Sequence, residues 1–486
     1  MKIRFIARSL IVAFVLSMPL LARNSANASV NPRHNSFIQN AGVRMASPTI
    51  QRLAASDPSQ IGANDDLGYA ASSQRMGTFT HNRPIPSPPP TPAPKPSEFV
   101  RIPGHIPYRM MARSLMIGQV NPSSTIHLAL ALPVRNQAKL TSFLQNLYNP
   151  KSPLYGKYLT PAEFTQQFGP TEQEYSEVER YAESLGLTIE HTHRNRLLLD
   201  VSGSAATVEK AFDLKLMNYR LPDGRESYAP DNNPLVPRSI AAELLGVVGL
   251  DNMTLLHPQF VKRSSLSRIA PQQIGTGPDG GMSPSDIKTA YNLSNLPLDG
   301  SGETLGLFEM DGYDSSDITQ YENQFGLNAP YLQNISVDGA SGVQSSDGQV
   351  EVTLDIEMMI ALAPNANEIV VYQGPNSVSG TIDTYAQIAD DDIANEISAS
   401  WVYKETDISS YPPFYNTENN LFQQMAAQGQ SMFAAAGDWG AYNGGSTLSV
   451  NDPASQPYVT GVGGTTLSVS YPGGPWSGET TWNELN

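Results

Sequence analysis

The stretch QVEVTLDIEMMIALAP, residues 349–364, reads as a helix that is apolar nearly all round, yet it carries Glu351, Asp355 and Glu357. Carboxylates are rarely buried without a reason. Glu351 and Asp355 are four residues apart, about 40° around a 3.6-residue turn, so they share a face, whereas Glu357 points elsewhere. Like charges at this spacing repel by roughly a few tenths of a kcal/mol in water and by more when desolvated. On spacing alone the pair is either an exposed acidic face or a piece of chemistry.

The surroundings of this helix decide the fold class. ETLGLFEM (303–310) reads as a strand and SSDITQYENQFG (315–326) as a helix. The acidic helix leads to the strand EIVVYQG (368–374), a helix near 380–390, NEISASW (395–401) as a strand, the helix NTENNLFQQMAAQG (416–429) and the strand QSMFAAAGD (430–438). Near-continuous apolar strands alternating with helices predict a parallel sheet covered by helices on both faces, an α/β fold. Sites in such folds lie outside the carboxyl ends of the strands, and Asp438 falls at one of them. The triplet Asp390-Asp391-Asp392 reads as a solvated helix end and not as a metal site.

A chain of 486 residues predicts two or three domains. Residues 1–28, with Lys2, Arg4 and Arg8 before a short apolar run and an Ala-Asn-Ala, have the pattern of a signal peptide; an uncleaved anchor is the alternative. Residues 29–96 are polar, lack periodicity and end in the spacer PIPSPPPTPAP (84–94), which predicts a disordered, Pro-rich linker. Residues 97–252 become globular. TIHLALALPV, LLLDVSG and LKLMNYRLP read as strands, and NQAKLTSFLQNLY, TEQEYSEVERYAESLG and SAATVEKAFD as helices, a compact α+β sandwich of the split βαβ kind. Residues 253–281 are rich in Gly, Ser and Pro and predict a protease-sensitive linker, after which 282–486 forms the α/β part.

Charge divides unevenly. Residues 282–486 hold two basic side chains, Lys288 and Lys404, against 26 acidic ones, a net −24; the other 28 basic and 20 acidic residues give +8. This argues against a nucleic-acid partner, which needs basic patches, and predicts mutual attraction of the two parts that weakens in acid. No later segment is apolar enough to span a membrane once a signal is cleaved, so the expected location is secreted, periplasmic or extracellular. With no Cys, disulfides and thiolate chemistry drop out. No His follows His257, so the α/β part holds neither a Ser-His-Asp triad nor an H-E-x-x-H metal site, and a hydrolytic base there would be a carboxylate.

Five segments in order, VEVTLD around Glu351 and Asp355, ISASW (397–401), AAAGDWG (434–440), PASQPYVTGVGGTTL (453–467) and ETTWN (479–483), resemble the sedolisins, the kumamolisin-like serine-carboxyl peptidases of subtilisin-like fold. Residues 97–252 resemble the pro-kumamolisin activation domain, ferredoxin-like in outline, and SPSDIKTAYNL (283–293) resembles the opening of the mature enzyme. The resemblance implies a secreted zymogen cutting proteins and peptides at acid pH, with its own prodomain as intramolecular inhibitor and chaperone. It implies Glu351 as general base, Asp355 as the acid that orients it, and Asp438 as a protonated oxyanion-hole donor. Trp439 departs from the Ser usual in the family after that Asp.

A second departure concerns the nucleophile. The family's Ser lies in a Gly-Thr-Ser context downstream of ETTWN, no Gly-Thr-Ser occurs in this sequence, and the family's Ca²⁺ ligands lie further downstream still. The expectation is therefore an incomplete subtilisin-like sheet in a C-terminally truncated product that lacks the nucleophile and the calcium ligands and is inactive as given. The alternative is a non-catalytic protein, an activation domain plus a partial peptidase fold that binds peptides or inhibits a related enzyme.

Overall fold

The computed structural model describes residues 98–258, 274–328, 330–408, 411–442 and 448–481. The predicted signal peptide, the 29–96 linker and residues 259–273 of the 253–281 linker lie outside the described residues.

The N-terminal part contains, in chain order, β1 (Thr125–Ala131), α1 (Gln137–Leu147), α2 (Pro161–Phe168), α3 (Glu172–Ser184), β2 (Thr188–Thr192), β3 (Leu198–Ser204), α4 (Ala205–Phe212) and β4 (Gly246–Val248). The sheet order is β2-β3-β1-β4, antiparallel throughout, so β3 lies between β1 and β2 and splits the βαβ unit as predicted. Local chemistry sets the helix starts. Thr160 and Thr171 each cap a helix and are answered by Glu163 and Glu174 in reciprocal capping boxes. α3 then buries Tyr175, Val178 and Ala182, the 3–4 spacing of one helical face.

The C-terminal part runs β5 (Thr304–Glu309), α5 (Ser315–Phe325), β6 (Tyr331–Ser336), α6 (Ser346–Leu362), β7 (Glu368–Gln373), α7 (Val378–Asp391), β8 (Glu396–Ala399), α8 (Pro412–Gln428), β9 (Ser431–Ala435) and β10 (Val459–Val462). Six strands pair in parallel in the order β6-β7-β5-β8-β9-β10. Leu307, Phe308, Ile369, Val370, Val371 and Ile397 are fully or almost fully buried, the apolar run expected of a sheet covered by helices. NEISASW is not one strand. β8 stops at Ala399, and Trp401–Lys404 turns into antiparallel pairs with His257–Pro258 and Asn451–Asp452. Among the described residues no helix is long and apolar enough to cross a membrane.

One apolar cluster runs from Leu140, Leu144, Phe164 and Phe168 of the N-terminal part into the core of the parallel sheet. The meeting point is α8, which begins with Pro412 and Pro413 and is buried on almost every side. Its carbonyls and amides are met from across the junction. Leu159 N donates to Ala427 O (2.9 Å), Tyr148 Oη to Ala426 O (2.7 Å), Gln137 Nε2 to Gln423 Oε1 (2.7 Å) and Asn195 Nδ2 to Gln424 Oε1 (3.0 Å). The same contact corrects the reading of Asp390. It is buried, not solvated, and accepts from Arg194 N (2.9 Å) and Gln424 Nε2 (3.2 Å), because the N-terminal part covers the end of α7. The charge imbalance is little used in direct pairing: Arg113–Asp407 (3.2 Å) is an ion pair across the junction, with Arg113 more than half exposed.

Candidate active site

Asp311, two residues beyond the end of β5, builds the approach to the acidic helix. It accepts from Gln344 N (2.6 Å), Ser345 N (2.9 Å) and Ser345 Oγ (2.8 Å), while Ser345 Oγ caps α6 by accepting from Gly348 N (2.9 Å). A β-carbon on Gly348 would sit 2.1 Å from Asp311 Oδ2, so only Gly lets the helix start this close. The start of α6 is thus tied to the carboxyl end of β5.

From there Glu351 and Asp355 point into the protein, Glu351 fully buried and Asp355 almost so, while Glu357 is half-buried. Asp438 is buried three residues past β9, the fifth strand of the described sheet, and lies close enough to Glu351 to repel its negative charge. The three acids singled out in the sequence are therefore brought together.

A fourth acid joins them that sequence reasoning missed. Glu309, the last residue of β5, is fully buried and accepts from Trp401 Nε1 (2.7 Å). Ser400 Oγ, at the break after β8, donates to Asp355 Oδ1 (2.9 Å). Glu309 and Asp355 are within hydrogen-bonding reach of each other, so a proton on Glu309 is donated to Asp355. The row thus reads Trp401–Glu309–Asp355–Glu351–Asp438, laid across the carboxyl ends of β5, β8 and β9. The signal for Glu309 was a lone acid ending an apolar strand, and for Ser400 and Trp401 the ISASW segment, which carried a resemblance but no role.

Burial governs the protonation of the row. Desolvation pushes Glu309 and Glu351 well above the ordinary glutamate range, and the charge of neighbouring Asp355 adds to it in both. Asp355 is pushed up to about 7 by burial, against the pull of its bonds from Ser400 and Glu309. Both Glu351 oxygens lack a hydrogen-bond partner among the described residues; the nearby Ser400 hydroxyl gives its proton to Asp355. Once it has released its own proton, a buried Glu351 carboxylate with two open acceptors, braced by one acid and faced by another, can take a proton from a hydroxyl placed against it.

The chain has relatives among known proteins. Residues 112–253 match the family described as Pro-kumamolisin, activation domain. The chain is 31% identical over 394 residues to sedolisin of Pseudomonas sp. (strain 101), covering 78% of this chain and 66% of that protein. It is 33% identical over 331 residues to kumamolisin of Bacillus sp. (strain MN-32), covering 66% of this chain and 58% of that one. The solved structure of Pseudomonas sedolisin, a serine-carboxyl proteinase complexed with two molecules of pseudo-iodotyrostatin, matches with 31% identity over 42% of this chain and 58% of that chain, at a TM-score of 0.38. The class is therefore that of proteins joining a pro-kumamolisin activation domain to a sedolisin-like α/β part. The chain belongs to the sedolisin family, and it spans about half to two thirds of the length of the relatives it matches.

Proposed function

We propose that the chain is the exported precursor of an acid-acting serine-carboxyl endopeptidase, with residues 97–252 as its activation domain and 282–486 as part of its peptidase domain. Glu351 is the general base, Asp355 orients it and tunes its charge, and Glu309 with Trp401 holds Asp355 in place. Asp438, when protonated, donates to the oxyanion that forms on the attacked carbonyl. The observation that carries this reading is the open pair of Glu351 oxygens, buried between Asp355 and Asp438. The substrates are proteins and peptides, and the activation domain, packed along α8, acts as the intramolecular inhibitor and chaperone.

The Ser400 hydroxyl is 2% exposed and already committed to Asp355, so it is a positioning group and not the nucleophile. The family resemblance places the attacking hydroxyl in a Gly-Thr-Ser context, which this sequence does not contain, so the 486-residue chain by itself is expected to leave peptides intact. The test is peptide cleavage between pH 3 and 5. The chain alone is expected to be silent, and the chain joined to a Gly-Thr-Ser segment of a sedolisin relative is expected to cleave, with Glu351→Ala abolishing the activity. Activity of the joined protein that survives Glu351→Ala would overturn the assignment of the base. Robust turnover by the chain alone would overturn the assignment of the nucleophile.

A further inference from the structure

A second buried cluster lies away from these acids, where the two parts meet. His193, just past β2, and Asp200, in β3, belong to the N-terminal part; Asp383 projects from α7 of the C-terminal part. All three are more than nine-tenths buried. His193 Nε2 lies 2.8 Å from Asp200 Oδ2, and one ligand atom from each of the three residues falls within 4.8 Å of the others. Two carboxylate oxygens there, Asp200 Oδ1 and Asp383 Oδ1, are buried without a hydrogen-bond partner among the described residues. Asp338, an exposed residue within hydrogen-bonding reach of Asp383, stands at the solvent side.

The cluster is therefore short of positive charge. His193 is one imidazole facing two enclosed carboxylates and a third at the mouth, and no Lys or Arg forms an ion pair with them among the described residues. An enclosed carboxylate oxygen without a partner is unfavourable by several kcal/mol unless a proton or a cation meets it. One imidazole nitrogen with two or three carboxylate oxygens is the donor set of a borderline divalent ion, too few and too nitrogenous for calcium.

We propose that His193, Asp200 and Asp383 bind a divalent transition cation of the zinc class, with Asp338 or water completing its shell. Two ligands come from the activation segment and one from the peptidase part, so the ion fastens the two together. This site does not depend on the catalytic reading, since none of its residues belongs to the catalytic row.

The test uses the full chain without an affinity tag, stripped with a chelator at neutral pH, loaded with Zn²⁺ or Co²⁺ and then desalted. The expected result is a single retained equivalent by elemental mass spectrometry, a ligand-field spectrum of low-symmetry N/O coordination with Co²⁺, and a higher thermal midpoint with Zn²⁺. Excess Ca²⁺ should not displace the ion. His193→Gln and Asp383→Asn should each weaken binding by roughly a hundredfold or more, while circular dichroism shows that the variants remain folded. Should a variant fail to fold, proton NMR of the unaltered Co²⁺-loaded chain still reports whether an imidazole ligand is present, through paramagnetically shifted His resonances. No retained metal, or retention unaffected in both variants, would overturn the proposal. A metal-free chain stabilised by Asp383→Asn and indifferent to Zn²⁺ would also overturn it, showing that a shared proton fills the cluster.

Discussion

At the scale of single residues, the row of acids works because each member is answered differently. Glu309 has the Trp401 indole on one side and Asp355 on the other. Glu309→Gln keeps an acceptor for the indole and a donor for Asp355, so its effect on stability should be small. Glu309→Ala leaves the Trp401 indole N–H without its acceptor and Asp355 with Ser400 alone, and should destabilise the fold by about 2–4 kcal/mol, the usual penalty for an orphaned buried polar group added to a small cavity. Urea denaturation of both variants at pH 5 checks this. Equal losses would mean that the indole and Asp355 draw nothing from Glu309.

The elements are placed by a few fixed contacts. Asp311 gathers Gln344 and Ser345 and so sets where α6 begins, which in turn sets where Glu351 points. Asp311→Ala removes three charge-assisted hydrogen bonds from the helix start and should cost about 2–4 kcal/mol; a denaturation midpoint unchanged from the parent would show that the helix start is held by other means. At the other junction, Gly246 of β4 touches the start of α8. A β-carbon added there would lie 2.5 Å from Pro413 Cβ and 2.9 Å from His105 Nε2. A proline ring cannot swing aside, so Gly246→Ala should loosen the contact between the two parts by about 1–3 kcal/mol. Faster cutting between residues 253 and 281 under limited proteolysis is the expected readout.

Over the whole molecule, apolar packing holds the parts together more than charge does. Arg113→Ala should change stability by less than about 1 kcal/mol, since its pair with Asp407 is exposed on the arginine side. Phe168→Ala, at a fully buried position in the cluster that crosses the junction, should cost about 3–5 kcal/mol. Thermal midpoints of the two variants in low and high salt separate the effects. The buried acids also set the pH dependence. Asp355, Glu357 and Asp251 are pushed up to about 7, and Glu396 and Asp452 to about 6, in each case by burial first. Raised carboxyl pKa values mean that between about pH 4 and 7 the folded chain holds protons that the unfolded chain has released, so stability is full below the unfolded values and falls as pH rises through the folded ones. The urea midpoint should therefore drop from pH 4.5 to pH 7, and Asp355→Asn should make that drop shallower. A midpoint that rises over this range would contradict the assignment.

Periodicity and strand composition made the alternating α/β part, the split βαβ part and the shared face of Glu351 and Asp355 legible in the sequence, because helical spacing and apolar strands are local properties. Asp438 was legible as an acid at a strand end. Glu309, Ser400 and Trp401 were not assigned, since their meeting depends on β5 and the end of β8, 92 residues apart from Glu309 to Trp401, lying side by side. Asp390 was misread for the same reason: the cover over its helix end comes from Arg194 and Asn195, almost two hundred residues earlier. The sequence by itself determined which residues could carry charge into an apolar fold. Only the tertiary structure decided which of those charges lost their water, because desolvation depends on what packs against a group and not on its neighbours in the chain.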